Sequence, residues 1–199
     1  MTNYTRSLLL MTVLCGMVMC DNWKLVWSDE FDGGDIYEEK WSFDIGNNNG
    51  WGNNEWEYYT RENHEVSGGS LKIHARKEEK EGFHYTSTKI HSSGKFNLVY
   101  GMVEVRAKLP FGQGIWPAFW MLGENIHQVG WPACGEIDIM EFIGKNPNTV
   151  YGSIHGQGLD STSQCNVPNP TEYHTYAVNW YPGVVEYYID GNLYGKDTQ

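Results

Sequence analysis

From Trp23 onward, apolar and polar residues alternate in short runs divided by Gly-, Asn- and Asp-rich punctuation. Ser70-Leu-Lys-Ile-His-Ala-Arg76, Gly101-Met-Val-Glu-Val-Arg-Ala-Lys-Leu109 and Val150-Tyr-Gly-Ser-Ile-His155 follow the two-residue period of a half-buried strand. Val184-Val-Glu-Tyr-Tyr-Ile189, Asp190-Gly191 and Asn192-Leu-Tyr194 read as strand, turn and strand, because Asp-Gly readily supplies the positive φ of a tight hairpin. No stretch sustains a helical period, and 23 glycines punctuate the chain. Many short strands with frequent turn signals predict an all-β protein, a β-sandwich of two antiparallel sheets or a barrel, without linker, low-complexity tract or repeat.

Both ends depart from this pattern. Arg6 precedes the apolar run Leu8–Met19, which falls short of the roughly 20 residues that a spanning helix needs. Residues 1–20 therefore read as a signal peptide, with Val18 and Cys20 at the −3 and −1 positions of the cut and Asp21 as the mature N-terminus. The bulky Met19 argues against a lipoprotein anchor at Cys20, so a secreted, extracellular protein without a membrane segment is expected. The remaining residues, 21–199, suit one domain. The chain stops at Lys196-Asp-Thr-Gln199 directly after a hairpin, where a sandwich would leave a strand edge unpaired, so the domain reads as incomplete at its C-terminus.

Composition narrows the function. Aromatic residues make up 15% of the chain, with nine Trp and thirteen Tyr. Most of these rings can fill a β core, and flat rings also suit a sugar cleft by stacking on pyranose faces. The formal charge of −11, one unit more negative once Arg6 is removed, repels phosphate, and no basic run offsets it. Nucleic-acid binding is excluded on that ground, whereas a neutral polysaccharide meets no such repulsion. Beyond the leader, two cysteines remain, Cys134 and Cys165. An oxidising compartment would allow them to pair, and a small buried apolar Cys134 is the equal alternative.

The chemistry concentrates in Gly135-Glu-Ile-Asp-Ile-Met-Glu-Phe142. Its three carboxylates interrupt an apolar run and would be costly if buried together. On a strand, Glu136 and Asp138 share one face while Ile137 and Ile139 point into the core. Strict alternation would send Glu141 to the core as well. One extra residue, a β-bulge around Ile139-Met140, would return Glu141 to the face of the other acids, above an open, concave cleft. Glu136 and Glu141 would then stand four steps apart, roughly 13 Å at about 3.3 Å per step. Glutamate side chains leaning together can close that to about 5–5.5 Å, the gap of a retaining glycosidase, and the wider inverting gap of about 6.5–9.5 Å is equally compatible with the spacing.

The stretch resembles the Glu-Ile-Asp-Ile-Met-Glu signature of glycoside hydrolase family 16, in the bulged form of its laminarinase-like endo-β-1,3-glucanases. Trp27-Ser-Asp-Glu-Phe-Asp32, Gly50-Trp-Gly-Asn-Asn-Glu55, Tyr100-Gly-Met-Val-Glu-Val-Arg106 and Gly114-Ile-Trp-Pro-Ala-Phe-Trp-Met-Leu122 are similar to further family blocks, in the family's order. The resemblance implies a jelly-roll sandwich and hydrolysis of β-1,3-glucosidic bonds in laminarin-like glucans, with mixed β-1,3-1,4 chains as further substrates. It implies Glu136 as nucleophile, Glu141 as acid and base, and no required cofactor. On charge grounds Asp138, between them, shares a proton with Glu136.

The same resemblance extends to weaker candidates. Trp116 and Trp120, four positions apart, share a strand face with Phe119 turned inward, and it makes them stacking platforms rather than core tryptophans. His155 falls on the neighbouring strand, where the family pattern lets it hydrogen-bond Glu141 or sugar hydroxyls; its other reading is a structural histidine. Asn53, with Asn54 and Glu55, is similar to the loop that reaches the non-reducing subsites, although Gly50-Trp-Gly-Asn-Asn is also turn chemistry. Arg76 joins that group. Glu30 and the Gly68-Gly69 turn resemble part of a structural calcium site, while no histidine set has zinc spacing. A monomer acting on β-glucan is expected. The rival is a non-catalytic β-glucan recognition protein on the same sandwich, though such relatives lose the catalytic glutamates and this chain keeps both. A third reading, other β-glycans such as agarose or carrageenan, or transglycosylation, fits the bulged signature and the Trp-Pro-Ala-Phe-Trp block less well.

Overall fold

The structure, a computed structural model, describes residues 23–198, so the expected signal peptide over 1–20 lies outside the described residues. Strands follow one another from end to end: β1 (Ser42–Asp44), β2 (Glu57–Tyr59), β3 (His64–Val66), β4 (Leu71–Ile73), β5 (Arg76–Lys80), β6 (Phe83–Ser87) and β7 (Lys89–His91). Then come β8 (Gly101–Ala107), β9 (Ala118–Leu122), β10 (Glu136–Phe142), β11 (Thr149–Gly156), β12 (Leu159–Asn166), β13 (His174–Tyr181), β14 (Val184–Ile189) and β15 (Asn192–Thr198). The helical content among the described residues is a 3₁₀ turn at Asn48–Gly52 and the short helix α1 (Ile126–Val129). No helix among them is long and apolar enough to cross a membrane.

Two four-stranded sheets dominate, ordered β12-β11-β10-β9 and β15-β14-β13-β8. Their strand pairs are antiparallel, and the pattern of apolar positions explains how the sheets meet. On β14, Val185, Tyr187 and Ile189 are buried while the residues between them are half-exposed, the period-2 signature of one face turned to a core. They pack with Tyr176 and Val178 of β13 against Ile137, Ile139, Met140 and Phe142 of β10 and Val150 and Ile154 of β11. The result is a sandwich, as the strand pattern predicts.

The last hairpin turns through Asp190 (φ 49°) and Gly191 (φ 74°), the paired positive φ that Asp-Gly favours. Its second strand runs to Thr198, past the expected end at Tyr194. The run expected over Ser70–Arg76 divides instead into β4 and β5: β4 pairs with β3, a ladder that the His74 N–H extends to the Asn63 carbonyl at 2.7 Å, and from Arg76 the chain pairs with β6.

The feature that positions the site is an irregularity in β10. Asp138 pairs with Ser153 and Glu141 with Tyr151, so two residues, Ile139 and Met140, span the single Gly152 of β11. Against β9, Asp138 pairs with Trp120 and Met140 with Phe119, leaving Ile139 as the extra residue. Both Ile139 and Met140 are buried, and strand alternation resumes beyond them. Gly152 lies across from this bulge and beneath the opposite sheet: a Cβ there would stand 2.4 Å from Cδ1 of Tyr187 and 2.6 Å from the Tyr194 hydroxyl. Gly152→Ala should therefore destabilise the fold by about 1–3 kcal/mol, the usual cost of overpacking, read as a lower urea midpoint at unchanged slope. An unchanged midpoint would mean that Tyr187 moves aside freely.

Candidate active site

The bulge brings Glu141 back to the face that carries Glu136 and Asp138, as the apolar pattern of β10 requires. Met140 and Phe142 on either side of Glu141 are buried, while Glu141 and Glu136 are half-exposed. Asp138 is the buried member of the trio. Burial disfavours its charged form, the charges of Glu136 and then Glu141 add to that, and its side chain hydrogen-bonds Glu136; together these push its pKa up to about 9. At neutral pH Asp138 is therefore an acid that donates to the Glu136 carboxylate.

Each flanking glutamate has a donor of its own. The indole Nε1 of Trp131 donates to Oε2 of Glu136 at 2.6 Å. Nε1 of Trp116 donates to Oε1 of Glu141 at 3.0 Å, and the hydroxyl of buried Ser153 approaches Oε2 at 3.4 Å. Trp116, Ala118, Trp120 and Leu122 form the exposed face of β9 and its approach, while Phe119 and Met121 turn to the core. The spacing argument for a shared tryptophan face thus matches the structure, and Trp120 stands opposite Asp138 in the ladder.

His155 does not meet Glu141. The register sets it opposite Glu136, and Glu141 lies beyond the bulge opposite Tyr151. Its Nε2 is instead 3.2 Å from Oδ2 of Asp138, and its Nδ1 is 2.7 Å from Oδ1 of Asp160 on β12. Asn53 closes the 3₁₀ turn, with its amide 3.2 Å from Oε1 of Glu55, whose Oε2 accepts from the Tyr59 hydroxyl at 2.6 Å. Arg76 opens β5 and donates to the Glu62 carbonyl at 3.1 Å; among the described residues it has no hydrogen bond to the acids of β10.

Cys134 and Cys165 are both free. Cys165 is opposite Val150, which is opposite Phe142, so two strand widths and the length of β10 separate it from Cys134. A disulfide needs Cα atoms within about 7 Å. At the glycine turn, the neighbouring carboxylate is that of Asp32, 3.7 Å from where a Gly69 Cβ would stand, whereas Glu30 is exposed. Among the described residues no three His, Cys, Asp or Glu side chains gather to hold a metal. These residues do not by themselves fit a calcium cage.

Trp131, Ser153 and Asp160 escape the sequence reading. Trp131 alone leaves a local sign: a tryptophan beside a proline in Gly130-Trp-Pro-Ala-Cys-Gly135, immediately before the acidic strand. Ser153 and Asp160 become site residues only through the ladders.

A buried carboxyl with a raised pKa between two half-exposed glutamates, among exposed indoles, equips a protein to work on glycosidic bonds. The sequence profile of the glycosyl hydrolases family 16 matches residues 52–198. A beta-glucanase of Rhodothermus marinus is 42% identical over 98% of this chain and 74% of its own. A glucan endo-1,3-beta-glucosidase of Cryptopygus antarcticus is 36% identical over 88% of this chain and 70% of its own. The catalytic domain of an endo-1,3-beta-glucanase (laminarinase) from Thermotoga petrophila superimposes with a TM-score of 0.85 at 47% identity, covering 89% of this chain and 77% of that one. The chain belongs to glycosyl hydrolases family 16, and its sandwich is the jelly roll of that family.

The Asp138 proton links stability to pH. Folding raises this pKa above its ordinary value of 3.8, so the native state keeps a proton that the unfolded chain releases. The contribution is fully present below that value and is lost as pH climbs toward about 9. Asp138→Asn removes the linkage, so its melting temperature relative to the parent should rise steadily from pH 5 to pH 9. A difference constant across that window would show Asp138 to be ionised throughout.

Proposed function

We propose that this chain hydrolyses internal β-1,3-glucosidic bonds of glucans by a retaining double displacement. The observation that carries the reading is a buried Asp138 between the half-exposed Glu136 and Glu141, with Glu141 returned to the same face by the bulge. Glu136 attacks the anomeric carbon while Glu141 protonates the leaving oxygen, giving a glycosyl-enzyme. Glu141, now a carboxylate, takes a proton from water, which displaces Glu136 and restores both groups. Asp138 keeps its proton toward Glu136 and so eases repulsion while the nucleophile is charged. The Trp131 N–H stabilises the same carboxylate from the other side. Trp116 and Trp120 offer faces for glucose rings, and Asn53 and Arg76 would serve hydroxyls farther along the cleft. The substrate class rests on the names that the similar proteins carry, beta-glucanase and endo-1,3-beta-glucanase. The leader-like pattern over 1–20 supports a secreted enzyme that acts on β-glucan outside the cell.

The test is direct. Glu136→Ala and Glu141→Gln should each cut reducing-sugar release from laminarin by about 10²–10⁴-fold with far-UV circular dichroism unchanged. Full activity in either variant would end the assignment. Binding of laminarin without sugar release by the parent would favour a recognition protein, and faster release from lichenan or agarose would move the substrate class. NMR of the first product anomer separates retention from inversion.

Trp131→Phe keeps the ring but removes the donor to Glu136. Hydrogen bonds to charged groups contribute about 1.5–3 kcal/mol, and the partly open site puts the effect at the lower end, so kcat/KM on laminarin should fall roughly tenfold.

A further inference from the structure

Outside the acid trio, one cation is held in an unusual place. Lys89 opens β7 directly opposite Asp44 of β1, with Nζ 3.8 Å from Oδ2. Asp44 is shared, since Nε2 of His91 is 3.7 Å from its other oxygen. The ammonium is 4.3 Å from the ring centre of Trp51, 5.5 Å from that of Trp120 and 5.8 Å from that of Tyr59. All three distances fall inside the range of about 6 Å in which a ring face attracts a cation. The lysine side chain is only 21% exposed, so water screens these attractions weakly.

The rings come from separate parts of the fold. Trp120 belongs to β9 and stands opposite Asp138. Trp51 belongs to the 48–54 loop, whose backbone is strained: Asn48, Asn49, Trp51 and Asn54 all have φ between 45° and 57°. Left-handed backbone is unfavourable for a bulky residue such as Trp and persists where its surroundings fix it. From below, buried Asn47 accepts from the Gly50 N–H at 2.8 Å and donates to the carbonyls of Glu55 and Glu57. From the cleft side the Trp51 ring meets the Lys89 ammonium, so a single cation joins the strained loop to the catalytic sheet.

We propose that Lys89 is a positioning residue that fixes the spacing between Trp51 and Trp120, and so the seating of a glucan chain on the arm of the cleft beside the acids. It rests on the glucanase reading for its ligand, and it assigns Lys89 no contact with the reacting atoms. A glucose unit stacked on Trp120 continues toward Trp51 only while the two rings hold their distance.

Lys89→Met keeps length and removes charge, and Lys89→Arg keeps the cation. For laminarihexaose, Lys89→Met should raise KM about tenfold with kcat within about twofold of the parent, and Lys89→Arg should restore most of the affinity. The near-UV circular dichroism of the tryptophans should change in Lys89→Met and return in Lys89→Arg. A role confined to folding would instead lower the melting temperature and apparent kcat at unchanged KM, and that result overturns the proposal. If the parent fails to cleave laminarihexaose, the glucanase reading falls separately. An unaltered aromatic band in Lys89→Met would still overturn the clamp.

Discussion

The site depends on one residue of excess length in β10. A strand that supplies core residues cannot also show acids at both odd and even positions to solvent, because its two faces alternate without exception. Glu136 and Asp138 obey the alternation and Glu141 violates it. The bulge resolves the conflict by burying Ile139 and Met140 in succession, after which Glu141 and Phe142 fall on their proper sides. The neighbouring strands accept the distortion at different points, β9 across Asp138–Met140 and β11 across Asp138–Glu141. Gly152 is what allows β11 to lie close to the opposite sheet at that level, since Tyr187 and Tyr194 occupy the volume of any larger side chain.

Burial then sorts three similar acids into different roles. Three carboxylates on one face cannot all be charged at low cost, and the protein does not treat them alike. Asp138, shortest and deepest, keeps its proton, while the two longer side chains reach the open face. His155, opposite Glu136 in the ladder, adds to the asymmetry by setting its Nε2 against Asp138, with Asp160 holding its far nitrogen. That one carboxyl of the trio is neutral thus follows from side-chain length and depth on a single ribbon.

How far this was legible in the sequence depends on whether a feature is local. The strands were readable because apolar alternation is written residue by residue, and the last hairpin because Asp190-Gly191 demands its own turn geometry. The bulge was readable for an energetic reason: without it an acid would enter the core. Cross-strand identities were not. The partner of His155 is decided by register on the far side of the bulge, so Glu141, near in expectation, is replaced by Asp138. The separation of Cys134 from Cys165 likewise follows from the order of strands. The cage around Lys89 joins rings far apart in sequence, and no spacing rule connects them.

The use of indoles at the acids has its own logic. An indole N–H donates and cannot accept, so Trp116 and Trp131 each hold an oxygen of Glu141 and Glu136 without offering either acid a competing acceptor. A serine or histidine in the same place could accept as well as donate and would blur which group holds the proton. The same side chains remain exposed enough to line the cleft. Ring and acid are therefore one unit. Were a glucan to lie on Trp116, it would touch the ring whose N–H holds Glu141, so the fit of the sugar and the placement of that carboxyl would be set together. Tilting either indole would then disturb ring and carboxyl together, because one hydrogen bond ties each pair and so ties the shape of the cleft to its acids.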